Sequence, residues 1–212
     1  MITGAAEDPV AGLVESLEVR WIVPGQLPSA MPEWFARFPA GTETREDIYL
    51  LQPRLQGLSV KLRDGRALDV KSYRGSPGIL ELPRRGRGHL ESWRKWSFPT
   101  GLPGHGDTDP PGWVVVGKSR RSSWFPLASG QDLARASPVA ALAGCMVELT
   151  EIQVRGQGGW SVGFEATGPA GLLRDALQHA AELVFALPLP PGVQFSLGNS
   201  QSYAQWLGQR PA

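Results

Sequence analysis

The sequence predicts an α+β fold: a closed antiparallel β-barrel, a tunnel, with helices packed on its outside. Three observations point there. Charged residues recur two apart with mostly apolar residues between them, as in Glu18-Val19-Arg20, Lys61-Leu62-Arg63, Asp69-Val70-Lys71 and Lys118-Ser119-Arg120. Successive strand side chains point to opposite faces, so each pair shares one face of its strand. Residues 169–187 carry a wide apolar stripe at helical spacing, enough to cover an apolar sheet face. The 26 glycines and 19 prolines divide the chain into many short segments, the pattern of strands and turns rather than long helices. An ordinary surface sheet turns its charge to water. Here the apolar faces are rich enough to need a cover, which leaves the charged faces to a shared interior. Closure also removes exposed sheet edges.

The elements follow in order. Residues 1–15 are small, acidic and weakly patterned, and read as a loose leader before a single domain over 16–212. Leu17 to Val23 alternates as a strand and stops at Pro24-Gly25. Ser29 is placed to cap a short helix through Phe38, with Trp34, Phe35 and Phe38 on its apolar side. Glu46 to Leu51 reads as a strand, and 58–63 with 66–73 as a hairpin across Asp64-Gly65, a strong turn signal. The segment Pro83-Arg84-Arg85-Gly86-Arg87-Gly88 reads as a solvated loop. Strands are expected at 93–98 and 113–120, then a hairpin of 147–154 with 160–166 across Gly156-Gln157-Gly158. The main helix starts near Pro169 and ends before Pro188. A short strand at 194–197 and a short closing helix at 203–207 complete the reading.

Composition narrows the function classes. Formal net charge is +1 over 212 residues, so bulk charge predicts no partner and any electrostatic function lies in local arrangement. The single cysteine, Cys145, permits no internal disulfide. No stretch approaches the roughly 20 apolar residues of a membrane span, and the N-terminus lacks the pattern of a signal peptide; the expected compartment is the cytoplasm, with no membrane partner. His89, His105 and His179 are not at metal-ligand spacing. No P-loop or dinucleotide-binding glycine motif occurs. One short basic run makes nucleic acid an unlikely partner at this net charge.

If the strands close with the paired charges inward, Arg20, Lys61, Arg63, Lys71, Lys118 and Arg120 line one cavity, with Glu18, Asp69, Glu148 and Glu165 beside them. Arginine offers a planar fork for phosphate oxygens and lysine a compact point charge. Crowded cations resist desolvation when empty, and an anion with closely spaced charges relieves that cost. The expected ligand is a small polyphosphate or a nucleoside triphosphate. Trp21, Tyr49, Tyr73 and Trp113 are aromatic candidates for a tunnel mouth or for wall packing. The same alternation also fits the solvated faces of an open sheet. A carrier of an apolar ligand would need the apolar faces inward and these charges outside.

The ordered motifs resemble the CYTH-type triphosphate tunnel metalloenzymes over about residues 16–207. The family's first-strand Glu-x-Glu-x-Lys corresponds to Ser16-Leu17-Glu18-Val19-Arg20; its later basic pairs correspond to Lys61 with Arg63 and Lys118 with Arg120. Asp47 and Tyr49, Asp69 and Lys71, and Ser202-Tyr203-Ala204-Gln205-Trp206-Leu207 also match. The chain departs from the pattern at Ser16, where the family has an acid, and beside Glu165, where a second Glu is missing and Gly163 holds the in-phase position. The resemblance implies a metal-dependent hydrolase of a triphosphate or polyphosphate. It implies Glu18 and Lys71 in catalysis and Mg²⁺ or Mn²⁺ on Glu18, Glu148 and Glu165. Arg20, Lys61, Arg63, Lys71, Lys118 and Arg120 would grip the phosphates. The thinned acids leave a second expectation, a non-catalytic polyphosphate- or nucleotide-binding protein with a degraded metal site.

Overall fold

The structure, a computed structural model, describes residues 13–51, 57–83, 85–100, 112–127 and 143–209. Eight antiparallel strands close into a barrel. They are β1 (Val14–Pro24), β2 (Gly41–Leu50), β3 (Leu58–Arg63), β4 (Ala67–Leu82), β5 (Gly86–Pro99), β6 (Trp113–Pro126), β7 (Gly144–Val154) and β8 (Gln157–Thr167). Around the barrel the order is β1-β5-β4-β3-β2-β6-β7-β8, and β8 returns to β1. Three α-helices are described: α1 (Ala30–Phe35), α2 (Leu173–Phe185) and α3 (Tyr203–Gly208).

The alternation of each strand sorts its side chains into two environments. Outside, Leu17, Val19 and Trp21 of β1, Val147 and Leu149 of β7, and Trp160, Val162 and Phe164 of β8 form one buried cluster. The stripe of α2 (Ala176, Leu177, Ala180, Val184) closes over it together with Met31, Trp34 and Phe35 of α1. Trp21 is fully buried there and stacks on Phe195 at 4.9 Å. Inside, the wall is ionic along most of its length and apolar at one end. Ile22, Tyr49, Val114, Val116, Ile152 and Val154 make that end, and Trp206 and Leu207 of α3 pack into it as a plug. A small barrel has room inside only for side chains or one small ligand.

α3 is held by a capping box. Ser202 Oγ accepts from Gln205 N at 3.3 Å, and Ser202 N donates to Gln205 Oε1 at 3.2 Å. The chain leading to it is pinned to the barrel where Gln201 N donates to Arg20 O at 2.9 Å and Ser200 Oγ accepts from His89 N at 2.8 Å.

Several boundaries differ from the sequence reading, each for a tertiary reason. Val14 and Glu15 belong to β1, because they pair with Lys95 and Arg94 of β5 and Glu15 bridges Arg94 at 2.7 Å; residues 1–12 lie outside the described residues. β2 begins at Gly41, since Thr42 to Arg45, polar and poor as an isolated strand, ladder against β6. The arginine–glycine segment is the tip of a long β4–β5 hairpin rather than a free loop, with Glu81 paired to Arg87 and Leu82 to Gly86; Arg84 itself lies outside the described residues. The Asp64-Gly65 turn forms as read, both residues having positive φ (49° and 64°). The β7–β8 turn is instead the two residues Arg155-Gly156, also at positive φ (48° and 74°). A short 3₁₀ turn, Ala170–Leu172, precedes α2. Segment 194–197 is no strand; Phe195 makes a single bridge to Gly86.

Candidate functional site

All six predicted basic residues and all four predicted acids lie on the inward phase of their strands, and each engages a partner of opposite charge across the lumen or along its wall. The apolar-carrier arrangement is thereby inverted. Ion pairs line much of the interior, and one pocket of about 60 Å³ of free space lies between Glu18, Arg20, Lys61, Lys71, Glu91 and Tyr203.

The deep part of the lumen is built around Asp47, which is fully buried. Its Oδ2 accepts from Lys61 at 3.0 Å, from Lys118 at 2.8 Å and from Arg45 Nη2 at 3.5 Å, and its Oδ1 faces Arg45 Nε at 3.1 Å as an ion pair. Lys118 also donates to Tyr49 Oη at 2.7 Å and stands 4.0 Å over the ring of Tyr203, the first residue of the plug helix. One buried carboxylate thus meets three cations, of which Lys61 also stands 3.7 Å from Asp69 and Arg45 also donates to Glu43 at 3.0 Å. Burial, reinforced by the neighbouring Lys118, lowers Lys61 to about 7 despite Asp47. Burial lowers Lys118 to about 8, with Asp47 holding it up in part. Asp47 itself is pulled far down by these cations, against its own burial.

The opposite imbalance holds around Lys71. Its ammonium donates to Glu18 Oε1 at 2.6 Å and to Glu165 Oε1 at 3.3 Å. Glu18 and Glu165 are register partners on β1 and β8, and Glu91 is the register partner of Glu18 on β5. Three carboxylates therefore form a row across adjacent strands. Burial works against the charged form of Lys71, but Glu165 and Glu18 outweigh it and raise its pKa. Ser16, in the position of the missing first acid, donates to Glu18 at 2.7 Å and is fully buried.

Glu148 lies between two arginines, Arg20 at 3.2 Å and Arg120 at 2.5 Å. Burial alone would raise its carboxyl; the two guanidinium groups outweigh it and bring it to about 2. Arg20 reaches Glu148 by lying across Gly163, its register partner on β8. A Cβ at 163 would come within 2.5 Å of the guanidinium carbon. Gly163 is therefore the counterpart of the arginine at 20: a side chain there would displace the guanidinium from its place beside Glu148. Nearer the open end, Asp69 takes a bidentate pair from Arg63 (2.5 and 3.0 Å) and a hydrogen bond from Ser97 at 2.7 Å. Arg120 also pairs with Glu43. Side-chain exposure rises from 4% at Lys118 to 33% at Arg63, so the lumen opens away from the plug.

Sequence reasoning did not single out Glu43, Arg45, Glu91 or Lys95 as site residues. Glu43 and Arg45 share a strand phase with Asp47, a signal hidden because the first half of β2 was not read as strand. Glu91 and Lys95 share a phase with Trp93, which the strand periodicity of 86–99 carries once the hairpin is recognised. Of the aromatic candidates, Tyr49 lies inside under the plug, Trp21 lies outside under the helices, and Tyr73 packs edge-on against Trp93 at 5.2 Å.

The residues implied for a divalent ion do not fit one as they stand. Lys71 supplies the cation between Glu18 and Glu165, Glu148 is committed to Arg20 and Arg120, and Arg20 lies across Gly163. Among the described residues no group of three or more potential ligands is disposed to hold a metal ion.

No protein-family model matches the chain, and no curated protein does. Solved structures similar to it include an RNA triphosphatase of S. pombe (11% identity, 82% of this chain and 78% of that one, TM-score 0.41). A conserved hypothetical protein of Pyrococcus furiosus matches at 14% identity over 89% of this chain and 98% of that one, TM-score 0.42. The mimivirus capping-enzyme triphosphatase matches at 10% identity over 79% and 89%, TM-score 0.38.

Proposed function

We propose that the tunnel binds a small polyphosphate, free or as the phosphate chain of a triphosphate, through Arg20, Lys61, Arg63, Lys118 and Arg120, with a grip that needs no metal ion. The observation that carries this reading is the deep cluster, in which Lys61, Lys118 and Arg45 converge on the buried carboxylate of Asp47, their further anions being Asp69, 3.7 Å from Lys61, and the exposed Glu43, 3.0 Å from Arg45. Crowded cations short of anions in a poorly solvated space are costly. A phosphate chain supplies the missing negative oxygens. Two buried donors, Arg120 Nε and Thr150 Oγ1, lack a hydrogen-bond partner and face each other across the β6–β7 register, ready for a phosphate oxygen. The free space is smaller than a phosphate chain, so binding exchanges carboxylate contacts for phosphate contacts. Arg63 and Arg120, the more exposed arginines toward the mouth, are the first to change partners. Lys71, balanced by two acids, serves as the resident cation of the acidic row.

The metal-dependent hydrolysis implied by the motif resemblance would require Glu18, Glu148 and Glu165 to release their cationic partners, and no hydrolytic step follows from the present donor set. Calorimetric titration with tripolyphosphate in EDTA tests the proposal. Saturable binding is expected, with Lys61→Ala and Arg63→Ala each weakening it about tenfold, the scale of one charge-assisted hydrogen bond. Unchanged affinity in both variants contradicts the tunnel grip. Phosphate release in Mg²⁺ or Mn²⁺ that Glu18→Gln abolishes supports the hydrolase instead.

A further inference from the structure

One tunnel acid differs from all the others. Glu91 is only 8% exposed, yet among the described residues no lysine, arginine or histidine lies within ion-pair reach of it. Its Oε2 accepts one hydrogen bond, from the indole of Trp93 at 2.9 Å. Burial raises its carboxyl pKa, and the Trp93 hydrogen bond offsets this only in part. A buried carboxylate with one neutral donor still has lone pairs to satisfy.

Glu91 stands on a boundary. On one side it lines the free space of the lumen with Arg20, Lys61 and Lys71. On the other it lines a separate groove of about 430 Å³ between the β4–β5 hairpin and the segment leading into α3. That volume lies in the range of small-molecule sites, about 300–1,000 Å³. The groove contrasts with the lumen in chemistry. Its wall is formed by Tyr73, Ser76, His89, Ser200 and the carboxamides of Gln201 and Gln209, with no lysine or arginine. It suits hydroxyl and amide groups and a planar ring, and without a lysine or arginine it lacks the fixed positive charge that holds phosphate in the lumen.

We propose that this groove is the nucleoside subsite of the tunnel: Glu91 accepts the ribose hydroxyls of a ribonucleoside polyphosphate whose phosphates lie among the lumen cations. A carboxylate has the lone pairs to accept both hydroxyls of a vicinal diol, the means by which an acidic residue holds a ribose elsewhere. Tyr73, 37% exposed, provides an aromatic surface for the base, and the glutamine carboxamides provide donors and acceptors for its edge. The inference rests on the polyphosphate reading and adds the rest of the ligand to it.

Calorimetry on the full chain in EDTA, with tripolyphosphate, a ribonucleoside triphosphate and its 2′,3′-dideoxy analogue, separates the two. The ribonucleotide is expected to bind about tenfold tighter than the dideoxy analogue, as for a hydrogen bond to a charged group. Glu91→Gln is expected to remove that preference while leaving tripolyphosphate binding unchanged or tighter, because a negative charge has left the lumen. Tyr73→Ala is expected to weaken both nucleotides and spare tripolyphosphate. Equal affinity of wild type for ribonucleotide and dideoxy analogue, beside normal tripolyphosphate binding, overturns the subsite alone; that comparison needs no variant. A parallel loss of tripolyphosphate binding in Glu91→Gln also overturns it, since the residue would then be structural. Failure of tripolyphosphate to bind wild type overturns the tunnel reading and the subsite with it.

Discussion

Two ionic clusters a few strands apart in the same lumen are built with opposite stoichiometry. Around Asp47 three cations, Lys61, Lys118 and Arg45, crowd one fully buried carboxylate, with Asp69 and Glu43 at the edge of the cluster; around Lys71 one ammonium serves Glu18 and Glu165, with Glu91 next in the row. The first lowers its lysines to about 7 and about 8, the second raises its lysine. Near-neutral overall charge conceals this separation. The lumen has a side where cations crowd one buried acid and a side where acids crowd one ammonium, so a ligand carrying phosphates at one end and hydrogen-bond donors at the other matches it better than a uniform anion does.

The largest expected effect comes from removing the shared anion. Asp47→Asn leaves Lys118 buried without a counter-charge and Lys61 with only Asp69, 3.7 Å away, and breaking a buried pair in this way costs about 3–5 kcal/mol. Urea unfolding should show that loss, and saturating tripolyphosphate should recover more stability in the variant than it adds to wild type, since a ligand that binds only the native state stabilises it. Equal ligand stabilisation in both would show that the phosphates do not replace the Asp47 charge.

Lys71→Met is the mirror experiment. It unpairs Glu18 and Glu165, which retain some exposure, for an expected loss of about 1–3 kcal/mol at neutral pH. Facing carboxylates without the ammonium become oxygen donors for a hard divalent ion. Mg²⁺ or Mn²⁺ should therefore raise the melting temperature of the variant and leave wild type nearly unchanged. An equal rise in both would show that the ammonium does not exclude the metal.

The smallest effect is graded with pH. Depressed lysine values mean that the unfolded chain binds more protons than the folded one between about pH 7 and about pH 10. The Lys61 and Lys118 contribution to folding stability therefore rises with pH across that window. Phosphate binding runs the other way. A bound anion favours the charged lysines, so from pH 6 to pH 9 affinity should fall, by at most about tenfold per pH unit for each lysine that must take up a proton. A flat titration curve over that range would show that both lysines stay charged without ligand.

Much of this was legible from residue order, and the reasons are local. Period-two alternation marks which residues share a face, so Arg20, Lys61, Arg63, Lys118 and Arg120 could be grouped by phase and α2 read as a cover, while the inward direction rested on the barrel closing. The Asp64-Gly65 turn is likewise local chemistry. The first half of β2 was illegible because Thr42 to Arg45 become strand only by pairing with β6. The arginine–glycine tip resembled a loop because its strand character comes from the β4–β5 ladder. Glu91 carries no signal in its own neighbourhood; what distinguishes it is that, among the described residues, no cation comes within ion-pair reach of it.

Residue order by itself determined the two-faced strands, the apolar stripe that clothes them and the supply of charges on one strand face, because each follows from side-chain type at a fixed backbone period. The tertiary structure alone decided which acid meets which base: Asp47 with three cations, Lys71 with two acids, Arg20 laid across Gly163. Those pairings depend on strand order and register between segments far apart in the chain, and on the plug that α3 drives into one end of the barrel. Electrostatic energy depends on distance in space and on exclusion of water, and neither exists until the barrel closes.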